Sequence, residues 1–299
     1  MTQMNLFSEA SFIQVPPCSE RIVNIACVPQ RSPFRYPGGK TWLVPRIRQW
    51  ISSLPTKPRK FVEPFAGGGI VGLTAAFEEL ASHVTMVELD QRVAAVWKTI
   101  LTGDAVWLAE RIRHFDLTRE TVDAELSKKP ETDEELAFQT ILCNRINHGG
   151  ILAPGSGVLN HGENGKGIRS RWYPDTLARR ILNISSVKER IGFVQGDGLA
   201  ILQNHASRKD AVFFIDPPYT AAGKKAGRRL YTHSELDHEA LFALCEKLQG
   251  DFLMTYDNAE GVRQLADRHG FDTYAIAMKN THHAKMTELL IGRNLNWIR

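Results

Sequence analysis

FVEPFAGGG, residues 61–69, decides the fold. Its apolar start reads as a short buried strand, and the strand runs straight into three glycines. Glycines there permit a tight turn and a close approach of backbone to a ligand. The following IVGLTAAFEEL, residues 70–80, has the spacing and length of a helix whose N-terminus points at whatever the turn holds. HVTMVELD, residues 83–90, then reads as a second strand with acids at its C-terminal end. Strand, glycine turn, helix, strand is the opening of an open parallel α/β sheet.

The same grammar returns after residue 190. RIGFVQGD (190–197), DAVFFIDPPY (210–219) and DFLMTYDN (251–258) each read as a strand ending in a polar or proline-containing loop. DHEALFALCEKLQG (237–250) and AEGVRQLADRHG (259–270) read as helices, the second stopped by Gly270. Asp237 is a helix-start residue. FDTYAIAMK and MTELLIGR (271–279 and 286–293) are expected to close the sheet as a hairpin.

Between these blocks, residues 101–185 differ in character. Thr132 and Glu135 form a capping box that opens a helix ending at Gly149-Gly150. A glycine-rich stretch, residues 151–172, follows it and is too poor in apolar residues to form a core alone. Residues 166–180 hold five basic side chains (Lys166, Arg169, Arg171, Arg179, Arg180) against one acid, Asp175. That pattern suits either a subdomain gripping a polyanion or a solvated loop. Residues 1–32 read as an arm. The expected division is therefore an arm (1–32), a catalytic domain in two pieces (33–100 and 186–299), and an insertion (101–185).

Composition narrows the function classes. The 299 residues are 43% hydrophobic and 23% charged, a globular balance, and 37 Lys and Arg against 33 Asp and Glu give a net charge of only +4. A histone-like polycation is excluded, whereas a local basic surface is not. No apolar run reaches the ~18 residues of a membrane span, and no signal-peptide pattern opens the chain. The cysteines, Cys18, Cys27, Cys143 and Cys245, form no CxxC pair. His282-His283 has no partner at metal-ligand spacing, so no metal is expected. The expected setting is cytoplasmic, with no membrane partner.

Two strand ends carry chemistry. Glu88 lies 21 residues beyond Gly67 at the end of the next strand, where a carboxylate accepts both hydroxyls of a ribose. That pairing favours a nucleoside-containing cofactor over a purely structural turn. GGKT at 38–41 lacks the first glycine of a phosphate-binding loop, because position 34 is Phe34, and FVEPFAGGG lacks the GxGxxG spacing of a nicotinamide turn. The second strand end is Asp216-Pro217-Pro218-Tyr219, directly after AVFFI. A carboxylate beside a proline-stiffened carbonyl accepts both hydrogens of an exocyclic amine, and an aromatic ring two residues on stacks on the heterocycle that bears it.

Taken together, these motifs resemble the Dam-type, alpha-group DNA adenine methyltransferases. That family combines PFxxxGGK, EPFxGxG and DPPY in order, and here they read PFRYPGGK (33–40), FVEPFAGGG and DPPY (216–219). The resemblance implies an S-adenosylmethionine-dependent, Rossmann-like fold, a seven-stranded mixed sheet with a mainly helical target-recognition insertion. It also implies methyl transfer to N6 of a flipped-out adenine in double-stranded DNA. By position, Tyr36, Lys40, Phe65, Gly67, Glu88, Asp197 and Asp216 fall to the cofactor, with Glu88 in place of the usual aspartate. Asp216, the Pro217 carbonyl and Tyr219 fall to the target amine.

CNRINHGGI, residues 143–151, matches the family's LNRxxxNG helix end at Asn144, Arg145 and Gly150. His148 and Gly149 stand where GATC-reading members carry a tyrosine and an asparagine, and Ala153 stands where a base-reading arginine is expected, so GATC specificity does not transfer. Arg35, Asn144, Arg145 and His148 are nucleic-acid candidates by position, His148 equally an ordinary helix-end residue. Lys224, Lys225, Arg228 and Arg229, in the loop after DPPY, are candidates on physical grounds, being four positive charges beside the proposed target pocket. A cognate restriction endonuclease is a partner that the resemblance leaves open. Rival readings are an RNA adenine or DNA cytosine-N4 methyltransferase, a silent DNA-binding subunit of the same fold, and a dinucleotide oxidoreductase.

Overall fold

The computed structural model describes residues 28–162, 165–218, 236–279 and 285–298. Seven strands form one sheet: β1 (Lys60–Glu63), β2 (His83–Glu88), β3 (Ile191–Gln195), β4 (Ala211–Ile215), β5 (Asp251–Asp257), β6 (Asp272–Lys279) and β7 (Lys285–Gly292). Their spatial order is β3-β2-β1-β4-β5-β7-β6. The first five run parallel, with Phe61 opposite Val84 on one side and Val212 on the other. β7 runs antiparallel to β5 and β6, so the expected closing hairpin is present. This is the expected seven-stranded mixed sheet, Rossmann-like in its parallel part. The chain leaves β1 towards β2 and returns to its other side at β4, which opens a crevice at the carboxyl ends of those strands.

Alternation along the strands builds two cores. On β4, Val212 and Phe214 face one side while Ala211, Phe213 and Ile215 face the other. The first side is covered by α1 (Val44–Ser53), α2 (Ile70–Phe77) and α3 (Gln91–Leu101), the second by α8 (Gly198–His205), α9 (His238–Lys247) and α10 (Glu260–Arg268). Each start has a physical cause. Asp90 caps α3 by accepting from the Arg92 and Val93 N–H groups, and Asp237 caps α9 by accepting from Ala240 at 2.9 Å. Gly270, with φ at +67°, ends α10 as its sequence suggests.

The insertion consists of α4 (Ala105–His114), α5 (Arg119–Leu126), α6 (Asp133–Ile146) and α7 (Pro174–Ser185). Thr132 caps α6 by accepting from Glu135 at 3.2 Å, but the Glu135 carboxylate accepts from the Glu131 N–H rather than reaching back to Thr132. Phe138, Ile141 and Leu142 of α6 pack in the same core as Trp97 and Ile100 of α3. The helices of the insertion therefore extend the sheet's first core. Among its described residues, the glycine-rich stretch contributes a short 3-10 turn, Gly167–Arg171, and an isolated bridge from Asn147 to Val158. The end of the arm is anchored: Val28 is buried and Arg31 pairs with Glu78 at 2.8 Å. No helix among the described residues is long and apolar enough to cross a membrane.

Candidate active site

The parallel strands deliver their acids to one edge of the sheet. Behind β1, Gly67 and Gly69 adopt φ of +48° and +63°, conformations that only glycine takes at low cost. The turn is propped from several directions. Trp97 Nε1 donates to the Gly67 carbonyl at 3.0 Å from below, and Glu63 Oε2 accepts from the Gly72 N–H at 2.8 Å. Glu63 is fully enclosed, and burial raises its carboxyl well above the usual range, with Asp216 and Glu88 adding to the rise. Above the turn lies Tyr36, whose ring would sit 2.5 Å from a Cβ built on Gly67. Trp97 lies outside every motif, and Glu63, the first residue of EPFxGxG, is given no role by the sequence. Their signal is only that a buried acid and a tryptophan flank glycines.

Glu88 ends β2 beside this turn. Its Oε2 accepts from the Gly67 N–H and its Oε1 from the Asp90 N–H, both at 2.9 Å. Burial, aided by the charge of Asp90, pushes its carboxyl up to about 7 against the pull of those amides. Across β2, Asp197 follows β3 and caps α8 by accepting from Leu199 at 3.1 Å, with its side chain exposed. Its neighbour Gly198 lies against Phe65: a Cβ there would meet the Phe65 ring at 2.8 Å. Gly67, Glu88, Phe65 and Asp197 thus lie along one rim.

Asp216 follows β4 on the other side of the crevice. Its Oδ1 accepts from Lys40 Nζ at 2.9 Å and from Thr255 Oγ1 at 2.7 Å. Lys40 is 3% exposed and also donates to the Gly38 carbonyl at 2.9 Å, with Glu288 Oε1 at 3.4 Å. Asp257, opposite Glu288 across β5 and β7, is pushed up to about 6 by burial and then by the Glu288 charge. One ammonium thus serves a cluster of carboxylates, and Lys40 sits in this network rather than in a phosphate loop. Among the described residues no partner takes Asp216 Oδ2.

Residues 36–118 match the family described as D12 class N6 adenine-specific DNA methyltransferase. Over 264 residues, 84% of this chain, the sequence is 25% identical to a DNA N-6-adenine-methyltransferase of Escherichia phage P1. The chain spans about a third of that protein's length, 33%. Among solved structures, it is similar to the rRNA methyltransferase AviRa of Streptomyces viridochromogenes, with a TM-score of 0.41, 12% identity and 86% of each chain covered. It is also similar to a precorrin-6y C5,15-methyltransferase of Geobacter metallireducens, with a TM-score of 0.35, 10% identity, and 87% of this chain and 91% of that one covered.

The matched stretch, residues 36–118, holds Tyr36, Lys40, Phe65, Gly67 and Glu88, whereas Asp197, Asp216 and Pro217 come from the remainder of the chain. Tyr219, Lys224, Lys225, Arg228 and Arg229 lie outside the described residues. The nucleic-acid candidates divide. Asn144 is fully buried: its Oδ1 accepts from the Arg35 N–H at 2.9 Å, and its Nδ2 donates to the Arg35 carbonyl at 2.9 Å and to Gly150 at 2.7 Å. Arg145 is also interior and donates to the Pro33 carbonyl. Both side chains face residues 33–35 instead of an outer surface. Arg35 is half-buried, and His148 is exposed on the turn His148–Gly150.

Proposed function

We propose that this chain transfers a methyl group from S-adenosylmethionine to N6 of an adenine turned out of double-stranded DNA. The observation that carries the reading is Asp216, held through Oδ1 by Lys40 and Thr255 at the end of β4, across the crevice from the Gly67–Gly69 turn. The rim residues fit the cofactor by the chemistry of their donors and acceptors. Glu88 keeps lone pairs for ribose hydroxyls beyond those its two amides occupy. Asp197 offers an exposed acceptor for an adenine amine, and Phe65 an apolar wall.

Once bound, S-adenosylmethionine supplies an electrophilic sulfonium methyl. The chain's own residues do the positioning. Asp216 Oδ2 accepts one N6 hydrogen and the Pro217 carbonyl the other, which turns the amine lone pair towards the crevice. Lys40 and Thr255 fix the carboxylate so that it need not reorient during transfer. The surplus N6 proton then leaves to water or to Asp216. Tyr219 completes the pocket by stacking on the base, and the cations at 224–229 hold the flanking phosphates.

Incubation with labelled S-adenosylmethionine and mixed-sequence duplex DNA, followed by nucleoside mass spectrometry, is expected to yield N6-methyladenine. Label found only in RNA, or on cytosine N4, would overturn the substrate assignment.

Glu88 gives the cofactor affinity a pH dependence of defined sign. Ribose hydroxyls donate, so they bind the ionised carboxylate, yet in the free protein this group titrates near 7. Affinity is therefore expected to fall below pH 7 by up to about tenfold per unit, and to level off above about pH 8. Binding at pH 6 should release a proton, visible as a buffer-dependent enthalpy in titration calorimetry. The Glu88→Gln variant should bind more weakly at pH 8 and show no such release.

A further inference from the structure

Guanidinium groups from three parts of the chain converge on the backbone of residues 32–35. Arg180 of α7 donates Nη1 to the Ser32 carbonyl at 3.1 Å, and Arg145 of α6 donates to the Pro33 carbonyl. Arg35 follows these two carbonyls along the chain, its own N–H and C=O locked by Asn144. Among the described residues no carboxylate lies within ion-pair distance of Arg35, Arg145 or Arg180. Arg145 is 4% exposed and its buried Nε has no hydrogen-bond partner. Burial first, and then the charges of Arg180, Arg35 and Arg171, bring its guanidinium down to about 9. Beside this cluster Tyr173 is 53% exposed, its hydroxyl fixed on the Ser170 carbonyl at 3.0 Å.

Crowded cations without a counter-ion are unfavourable unless an anion joins them. Planar guanidinium forks match the oxygens of a phosphate, and an exposed ring at the rim suits a sugar or base. Arg35 and Lys40 are five positions apart, so their Cα atoms lie within about 18 Å of each other, and Lys40 Nζ reaches Asp216 at 2.9 Å.

Resting on the methyltransferase reading above, we propose that Arg35 and Arg180, over buried Arg145 and beside Tyr173, form a binding site for one or two backbone phosphates of the substrate DNA flanking the target adenine. Arg171 adds positive charge to the site but is not required to be unpaired. The site is built jointly by the insertion and by the segment entering the catalytic domain, so it forms only when the two are docked.

The test uses the Arg35→Gln/Arg180→Gln double variant, with Lys247→Gln on the opposite face of the sheet as a charge-matched control. The slope of log K for duplex DNA against log salt is expected to fall by about two in the double variant and not in the control. Cofactor affinity should stay at the wild-type value, which also reports an intact fold. Neutral methylphosphonates placed singly around the methylated adenine should weaken wild type at one or two positions and leave the double variant unaffected there. An unchanged slope would overturn the proposal and make the cluster purely structural. Lost cofactor affinity with unchanged DNA affinity would overturn it too, since the anion would then be the cofactor's carboxylate. Slope-dependent DNA binding without methyl transfer by wild type would sink the proposed reaction and leave this site standing.

Discussion

Replacing Asp216 with alanine is expected to reduce methyl transfer about 100-fold or more while the protein stays folded and still binds cofactor. The expected size follows from positioning. Transfer to a sulfonium methyl needs little acid–base help, so most of the barrier reduction lies in aiming the amine, and a misplaced nucleophile forfeits factors of this order. The fold should survive because the truncation leaves no orphaned cation. Lys40 loses Asp216 but keeps the Gly38 carbonyl and Glu288, and the buried Thr255 hydroxyl loses its acceptor. That loss costs about 1–3 kcal/mol. Single-turnover methyl transfer into duplex DNA, run beside equilibrium binding of S-adenosylmethionine, separates the two effects. Turnover within tenfold of wild type would mean that the amine is held elsewhere.

Asn144→Ala is expected to destabilise the protein by about 3 kcal/mol or more. Its side chain satisfies three backbone groups, the part-buried N–H and C=O of Arg35 and the buried C=O of Gly150, and a buried group left unpaired costs about 1–3 kcal/mol. Gly150 cannot move in to compensate: a Cβ there would already fall 2.2 Å from the Arg35 carbonyl oxygen. Urea denaturation should show a lower midpoint at an unchanged slope. Were Asn144 instead a base-reading residue and nothing more, stability would hold and only DNA affinity would fall. The two outcomes differ in kind, so one unfolding curve decides between them.

Asn144 also shows where sequence reading stops. The strand ends were legible because local chemistry writes them: three glycines after an apolar run, a proline pair after AVFFI, an acid closing HVTMVE. The α/β pattern of those elements indicated an open parallel sheet closed by a hairpin, but not the order of its strands. Asn144 and Arg145 match a motif, yet the direction they face is set by partners at residues 33–35, more than a hundred positions earlier. Lys40 is similar. A glycine-glycine-lysine-threonine run suggests a phosphate loop, and only the approach of Asp216 and Glu288 from distant strands gives the lysine its network. One helix of the insertion, α6, was visible by its cap, but its continuity with the core of α3 was not, because an amphipathic stripe does not name the surface that it covers.

That continuity constrains anyone who would redesign target choice by domain swapping. A recognition module is interchangeable when its edges are polar and its interior is its own. Here Phe138, Ile141 and Leu142 are half of an interior whose other half, Trp97 and Ile100, belongs to the helix after β2. Trp97 in turn holds the Gly67 carbonyl. Grafting a foreign insertion at residues 101 and 185 would therefore disturb the glycine turn through a single tryptophan. A workable chimera has to carry the packing face of α3 across with the graft, and a library aimed at new recognition sites is better confined to the exposed His148 corner and the loop that follows it.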